Sequence, residues 1–337
     1  MDSFRQRMSD EMCQVAMRGN VGRAYLREGK LVQTKVQTEI ERVFLDAGEY
    51  LSRYRNFITQ SCQLKEKFAA GLTSSNYART HPLFLLLFRE IVRCQLGSVD
   101  ETSDVVQKLS IATYGIFRSI VAMDALIDST GDHRDTYSAL ESTIHHEAAI
   151  RCLVAIIGDD ESCARTLRRL SWHYMMTHQY ERAPALATST RLKKILFRKS
   201  CMVLLPLTWA KSIYGQDDLH MKFRKGLIKL FVGLQLIDDL RDYDEDIKNG
   251  QVTLYSTLVK IELESEHKGQ HSPAPCTCLR KARLRADCTH LNLAQRRLSS
   301  AIETFRAAGS DVMAVCVQLV YAEVNRVYAV KLSELAK

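Results

Sequence analysis

Carboxylates at helical spacing are where this sequence offers chemistry. Asp238, Asp242 and Asp246 recur at i, i+4 and i+8 directly after an apolar run of helix formers. At 3.6 residues per turn each step rotates by only about 40°, so the three line one stripe. Gln235, Asp239 and Glu245 fall on or beside it. Like charges at this spacing destabilise a helix by roughly 0.2–0.5 kcal/mol per pair, so the stripe calls for a cation. Mg²⁺ suits it, being a hard ion that takes oxygen ligands and shares them with substrate phosphate. A second pair, Asp124 and Asp128, has the same spacing near the C-terminus of another expected helix. The helix dipole makes carboxylates unfavourable there, and a metal would compensate. The plain alternative for the 238–246 stripe is a solvated face partnered by Arg241 and Lys248. Its apolar flank and Gln235 argue against that.

These residues need elements to hold them. Glycine and proline are scarce, at 15 and 5 copies, and long segments have helical periodicity with no sustained strand-like alternation, which predicts an all-α protein. Helices are expected over 83–96, 104–129, 136–157, 160–182, 189–213, 217–248, 290–307 and 310–335. Residues 1–75 read as polar amphipathic helices. Gly97, Gly131, Gly158, Gly215 and Asn249-Gly250 mark breaks. Residues 262–290 lack periodicity and are expected to form a flexible loop. With no repeat and no linker, residues 1–337 are expected to form one domain, a single antiparallel helical bundle. Its two acidic helix ends would face each other across a central active-site cavity.

Charge and composition narrow the classes. The net charge of +8 is concentrated in Arg280, Lys281, Arg283, Arg285, Arg296, Arg297 and Arg306, and in Arg191, Lys193, Lys194, Arg198 and Lys199. No aromatic-interleaved basic motif or helix-turn-helix accompanies them, so no nucleic-acid partner is expected; an anionic small substrate suits the second group better. No apolar run approaches the roughly 18 residues of a membrane span. Met1 to Asn20 lacks a signal-peptide layout. Ten cysteines, most of them isolated in helical segments, point to reduced thiols and a cytoplasmic protein. Cys276-Thr-Cys278 and Cys288-Thr-His290, with His267 and His271 upstream, admit a zinc site or an unstructured insert; the spacing favours the insert.

The two acidic motifs carry a resemblance. Asp-Ala-Leu-Ile-Asp at 124–128, followed by Gly-Leu-Gln-Leu-Ile-Asp-Asp-Leu-Arg-Asp-Tyr-Asp-Glu-Asp-Ile-Lys-Asn-Gly at 233–250, resembles the class I isoprenoid synthase superfamily. The first is similar to the D-x-x-x-D of squalene and phytoene synthases. The second is similar to their Q-x-x-N-I-x-R-D-x-x-E-D-x-x-x-G, to the G-x-x-x-Q-x-x-D-D-x-x-D of prenyltransferases and, in spacing, to the metal triad of terpene cyclases. The resemblance implies that Asp124, Asp128, Asp238, Asp242 and Asp246 bind up to three Mg²⁺, which bridge a prenyl diphosphate. It implies diphosphate contacts for Arg191, Lys194, Arg241 and Arg326 with Tyr328, and an apolar cavity in which the allylic cation reacts. Tyr114, Phe117, Phe197, Trp209 and Phe231 are candidates to face that cation.

The sequence also departs from these families. No Gly-Gly-Lys-x-x-Arg segment stands near the N-terminus, where Gly29-Lys30 is a poor echo; the arginine expected after Gly250 is Gln251; and Asp238-Asp239 replaces an asparagine-based start. The expected function is a Mg²⁺-dependent terpene synthase that cyclises a linear prenyl diphosphate. The alternative is a prenyltransferase condensing two prenyl diphosphates, squalene/phytoene synthase-like or other. A non-catalytic helical interaction protein is the third reading. A homodimer is the superfamily's habit.

Overall fold

Every regular element among the described residues is helical, as the scarcity of glycine, proline and strand-like alternation requires. The structure, a computed structural model, describes residues 49, 51–60, 82–97, 103–128, 134–158, 160–181, 189–215, 218–269 and 275–335. Within them α1 covers 51–60. It is followed by α2 (Pro82–Leu96), α3 (Asp104–Asp128), α4 (Arg134–Ile157), α5 (Glu161–Glu181) and α6 (Ser189–Lys199). The rest are α7 (Leu205–Tyr214), α8 (Asp218–Arg241), α9 (Tyr243–Lys248), α10 (Leu254–Gly269), α11 (Pro275–Ala307) and α12 (Asp311–Leu335). Apart from α1 and residue 49, the helices expected over 1–75 lie outside the described residues, as does Gly131.

Helix ends have local causes. Asp160 Oδ1 accepts the Ser162 N–H at 2.9 Å and caps α5. Thr253 and Ser256 form a reciprocal cap at α10: the Ser256 N–H donates to Thr253 Oγ1 at 3.1 Å and the Thr253 N–H to Ser256 Oγ at 3.0 Å. Gly215, at φ 73°, adopts the left-handed conformation that ends α7, its N–H reaching the Lys211 carbonyl at 2.9 Å.

Three expectations about the elements are corrected. The helix expected over 189–213 is broken into α6, a 3₁₀ turn at Ser200–Leu204, and α7. Pro206 sits in the first turn of α7, where its missing N–H is tolerated but cannot continue a helix from α6. The helix expected over 217–248 is interrupted at Asp242, whose φ of −95° and ψ of 8° separate α8 from α9. Of the flexible loop expected over 262–290, residues 262–269 are instead the end of α10 and residues 275–290 the first half of α11, while 270–274 lie outside the described residues. The stripe α11 buries there is Cys278, Ala282, Ala286 and His290. Small and polar residues on the buried face, beside Arg280, Lys281, Arg283 and Arg285, hide a helical period from a reading based on large apolar residues.

Packing then sets the frame. α3 and α4 form a long intimate pair; α11 packs against α8, α10 and α12; and α2 touches α3, α7, α8 and α12. Tyr54, Phe88, Tyr114, Trp209, Phe223 and Phe305 are among the fully buried side chains. Three glycines stand where a Cβ would come within 3.0 Å of a neighbour, Gly226 of α8 among them at 2.8 Å from the Phe305 ring. A Cβ on Gly115 of α3 would stand 2.9 Å from the His145 carbonyl oxygen of α4, and one on Gly233 of α8 would stand 2.9 Å from Leu298 Cδ2 of α11. α1 is pinned to the α3–α4 pair by Tyr54 Oη, which lies 2.5 Å from His145 Nδ1. Asp104–Leu126 is long and apolar enough to cross a membrane by length and composition alone, and 61% of that window is buried inside the bundle, as in the core helix of a folded domain. α3 and α8 carry the two acidic motifs and do not pack closely on each other.

Candidate active site

Four chain segments converge at one end of the gap between α3 and α8. Asp124 ends the described inner face of α3 and accepts a hydrogen bond from Tyr174 Oη of α5. Lys199, the last residue of α6, directs its ammonium to Glu181 at the end of α5, with Nζ to Oε1 at 2.9 Å. Asp238 and Asp239 lie near the end of α8, and Asp242 and Asp246 follow across the break. Glu181 does a second job through its backbone: its carbonyl accepts the Val252 N–H at 2.8 Å, tying the segment after α9 to the end of α5.

The break at Asp242 changes what the acidic stripe is. Helical bonding continues through it, with the Asp242 N–H to the Asp238 carbonyl at 2.9 Å and the Asp246 N–H to the Asp242 carbonyl at 2.8 Å. Yet the carboxylates part into two groups. Asp238 and Asp242 are exposed, whereas Asp239 and Asp246 are buried, at 4% and 9% exposure. Asp239 accepts from Gln235 Nε2 at 3.3 Å, as the i, i+4 spacing allows. The expected single stripe of Asp238, Asp242 and Asp246 is therefore an outer pair and an inner residue.

Charge ties these groups together. Lys199 is held well above the ordinary lysine range: burial lowers it, but Glu181, Asp239 and Asp124 together outweigh burial. The Asp239 carboxyl is pushed up to about 8, first by burial and then by Glu181 and Asp246, against the opposing pull of Lys199 and Gln235. Asp238 keeps solvent access at its surface, but the surrounding protein desolvates it. Its carboxyl rises to about 6 through that desolvation, with Asp242 and Asp124 adding and Lys199 and Arg241 opposing. Asp124 and Asp238, from helices that do not pack on each other, thus feel each other's charge.

The other expected site residues are placed as follows. Arg241 is exposed and lowers the Asp238 carboxyl by its charge. Lys194 is exposed on α6. Arg326 is exposed on α12 and donates to both Glu323 oxygens, at 2.8 and 2.6 Å, which explains its raised pKa without any acidic-site partner. Tyr328 is half-buried against the core. The side chains of Asp128 and Arg191 lie outside the described residues. Of the aromatic candidates, Tyr114 and Trp209 are fully buried core and Phe197 is 40% exposed. Phe117 and Phe231 are half-buried against the core, their ring centroids 3.5 and 5.2 Å from that of Phe84.

Lys199, Tyr174 and Glu181 were missed as site residues. Lys199 had a signal, because it is the cation at the threshold of the buried Ser200–Leu207 run. Glu181 and Tyr174 had none, since only the crossing of α5 with α3 and α6 brings them in. In α11, Cys278, Cys288 and His290 are buried on one helix. Cys276, His267 and His271 have side chains outside the described residues.

The donor set fits a hard divalent cation. Asp124, Asp238 and Asp242 offer only oxygen, and their mutual repulsion is visible in the raised Asp238 carboxyl. Among the described residues no three His, Cys, Asp or Glu side chains form a ready-made cage. Mg²⁺ commonly takes only one or two carboxylates, with water and substrate phosphate completing its shell.

Comparison with solved structures identifies the fold. The chain is similar to a polyprenyl synthase from Caulobacter crescentus CB15, whose structure was determined with calcium and isoprenyl diphosphate. The identity is 15%, the TM-score 0.62, and the match covers 85% of this chain and 97% of that one. It is similar to a polyprenyl synthase from Roseobacter denitrificans at 14% identity and TM-score 0.63, covering 86% and 99%. A decaprenyl diphosphate synthase from Rhodobacter capsulatus matches at 12% identity and TM-score 0.63, again covering 86% and 99%. No family model matches the sequence, and neither does any curated protein. The chain has the all-helical isoprenoid synthase fold.

Proposed function

We propose that this protein is a metal-dependent enzyme acting on an allylic prenyl diphosphate, and that its reaction is prenyl transfer. One observation carries the reading: Asp124 of α3 and Asp238 of α8 feel each other's charge, and both feel that of the part-buried Lys199, on a fold similar to polyprenyl synthases. That similarity favours transfer over the cyclisation expected from sequence. Asp124, Asp238 and Asp242 would hold Mg²⁺, with Asp128 and Asp246 as further ligands and the number of ions left to the sequence-based expectation of three. Bound there, Mg²⁺ supplies charge stabilisation to the leaving diphosphate.

The chain's own residues do the rest. Lys199 adds a fixed positive charge at the site, held by Glu181, so that it can meet the diphosphate oxygens without reorganising. Tyr174 fixes the Asp124 carboxylate by donating to it. Heterolysis of the allylic C–O bond leaves the electron pair on diphosphate. The double bond of a second prenyl unit then attacks the allylic carbon, and the resulting cation loses a proton to re-form an alkene. The apolar walls below Asp124 and Asp238 exclude the water that would otherwise quench the cation.

The test is product analysis. The protein is incubated with Mg²⁺ and geranyl or farnesyl diphosphate, with and without isopentenyl diphosphate, while diphosphate release and product carbon count are followed. Growth by five-carbon units, dependent on isopentenyl diphosphate, is expected. A doubled carbon count without it indicates joining of two allylic units; an unchanged count with ring formation restores the cyclase reading. No consumption of any substrate, with Asp242→Asn indistinguishable from the parent protein in metal affinity and stability, would sink the enzyme reading altogether.

A further inference from the structure

We infer that Arg283 of α11 and Tyr255 of α10 are positioning residues: they seat α9, and through it set where Asp242 and Asp246 stand relative to Asp238. This rests on the metal-dependent reading above and names the residues that hold part of its ligand set in place.

α9 cannot place itself. It is six residues long, and a helix so short is marginal on its own in water, so tertiary contacts decide its position. Yet two of the proposed metal ligands depend on it, Asp242 at the break that begins it and Asp246 within it. Its far end is tied by the backbone. The Gln251 N–H donates to the Asp246 carbonyl at 2.8 Å, and the Val252 N–H to that of Glu181 at 2.8 Å. Its near end is held through Tyr243, the residue next to Asp242.

Tyr243 is caught on two sides. Its ring meets that of Tyr255 edge-on, with centroids 5.1 Å apart and planes 82° apart. The Arg283 guanidinium carbon lies 4.6 Å from the Tyr243 centroid, and Nη1 of the same side chain is 3.3 Å from Asp244 Oδ1. Asp244 is 82% exposed, so water screens that ion pair and the ring contacts carry most of the hold. The hold is itself braced. Tyr255 is fully buried and donates to Asp287, whose other oxygen lies 3.0 Å from Lys331 Nζ of α12. Arg283 and Asp287 are one turn apart on α11, so one helix face grips the Tyr243 ring and the Tyr255 hydroxyl together. With Val259 and Ala286 the two tyrosines belong to a small apolar cluster separate from the main core. The chain is interrupted at Asp242, where neither proline nor glycine stands, directly beside the residue that this cluster holds.

Metal binding tests this in a direction that charge alone does not predict. Arg283→Gln removes a positive charge near an acidic site, which by electrostatics alone tightens binding of a divalent cation. Loss of positioning weakens it. Mn²⁺, a paramagnetic substitute for Mg²⁺, is titrated into the full chain with inorganic diphosphate, and free Mn²⁺ is read by electron paramagnetic resonance against protein-free diphosphate. Arg283→Gln should weaken Mn²⁺ binding by about tenfold, the lower end of what is lost when a group that orients a metal ligand is removed. Arg283→Lys, which keeps the ion pair but not the flat face over Tyr243, should recover only part of the loss. Lys281→Gln, the same charge change at an exposed position of α11, should leave binding unchanged or slightly tighter. In turnover, Arg283→Gln should need more Mg²⁺ for half-maximal rate, with kcat restored at saturating Mg²⁺. If Arg283→Gln is poorly folded, Tyr243→Leu removes the same contact from the α9 side. Unchanged or tighter Mn²⁺ binding in folded Arg283 and Tyr243 variants, or equal weakening by Lys281→Gln, overturns the positioning role and leaves the metal site intact. A parent protein that takes up no Mn²⁺ with diphosphate overturns both.

Discussion

Asp238 and Asp239 are adjacent in sequence and opposite in role. Asp238 stands at the open side of the gap with Asp124 and Asp242; Asp239 turns inward to Gln235 and Lys199. Both carboxyls are raised from their usual 3.8, to about 6 and about 8. An acid raised in the folded state holds its proton more tightly there than in the unfolded chain. Its contribution to stability is complete below the unfolded value near 4 and is lost as pH rises through the folded value. The metal-free protein should therefore lose thermal stability between about pH 4 and pH 8, and Mg²⁺ should raise the melting temperature more at pH 8 than at pH 5. Melting curves with chelator and with Mg²⁺ would settle it; a metal effect that is equal at both values would count against the acidic site. Lys199 makes the opposite case. Lys199→Met takes the ammonium away from the buried Glu181 carboxylate, which should cost about 3 kcal/mol in chemical denaturation, together with nearly all turnover.

The elements position these residues through close approaches more than through propensity. Gly115 lets α3 lie against the α4 backbone, and a Cβ there meets a carbonyl oxygen that cannot swing aside. Gly115→Ala should destabilise the protein by about 1–3 kcal/mol, measured as a lower denaturation midpoint. Because α3 also carries Asp124, diphosphate affinity should fall with it. How much of the elements was legible follows the same logic. α3 and α8 were readable because their buried faces use large apolar residues at helical spacing. The first half of α11 was not, since Ala282, Ala286 and His290 bury little apolar area and its arginines dominate the pattern. The split of α8 from α9 at Asp242 left no mark in composition: neither proline nor glycine stands there.

At the scale of the molecule, the two acidic ends are assembled by helices that each pack elsewhere: α3 on α4 and α2, α8 on α11. α3 and α8 do not pack closely on each other, and each is supported from behind. Ligands that bridge the walls should stabilise the whole fold by mass action, about 2.7 kcal/mol at a hundredfold excess over the dissociation constant. Inorganic diphosphate with Mg²⁺ should raise the melting temperature by more than the sum of either alone. Simple additivity would mean that the two do not share one site.

The aspartate spacing on α3 and α8 and the all-helical class were determined by sequence alone, because helical periodicity is a local property. How exposed Asp246 is beside Asp238, what Arg326 pairs with, and which cation shares its charge with the carboxylates were decided only in three dimensions. Asp246 is buried beyond the break at Asp242, and Arg326 pairs with both Glu323 oxygens on the surface of α12. The third is Lys199, brought in by the crossing of α5 and α6, because long-range charge and packing depend on which helix ends meet.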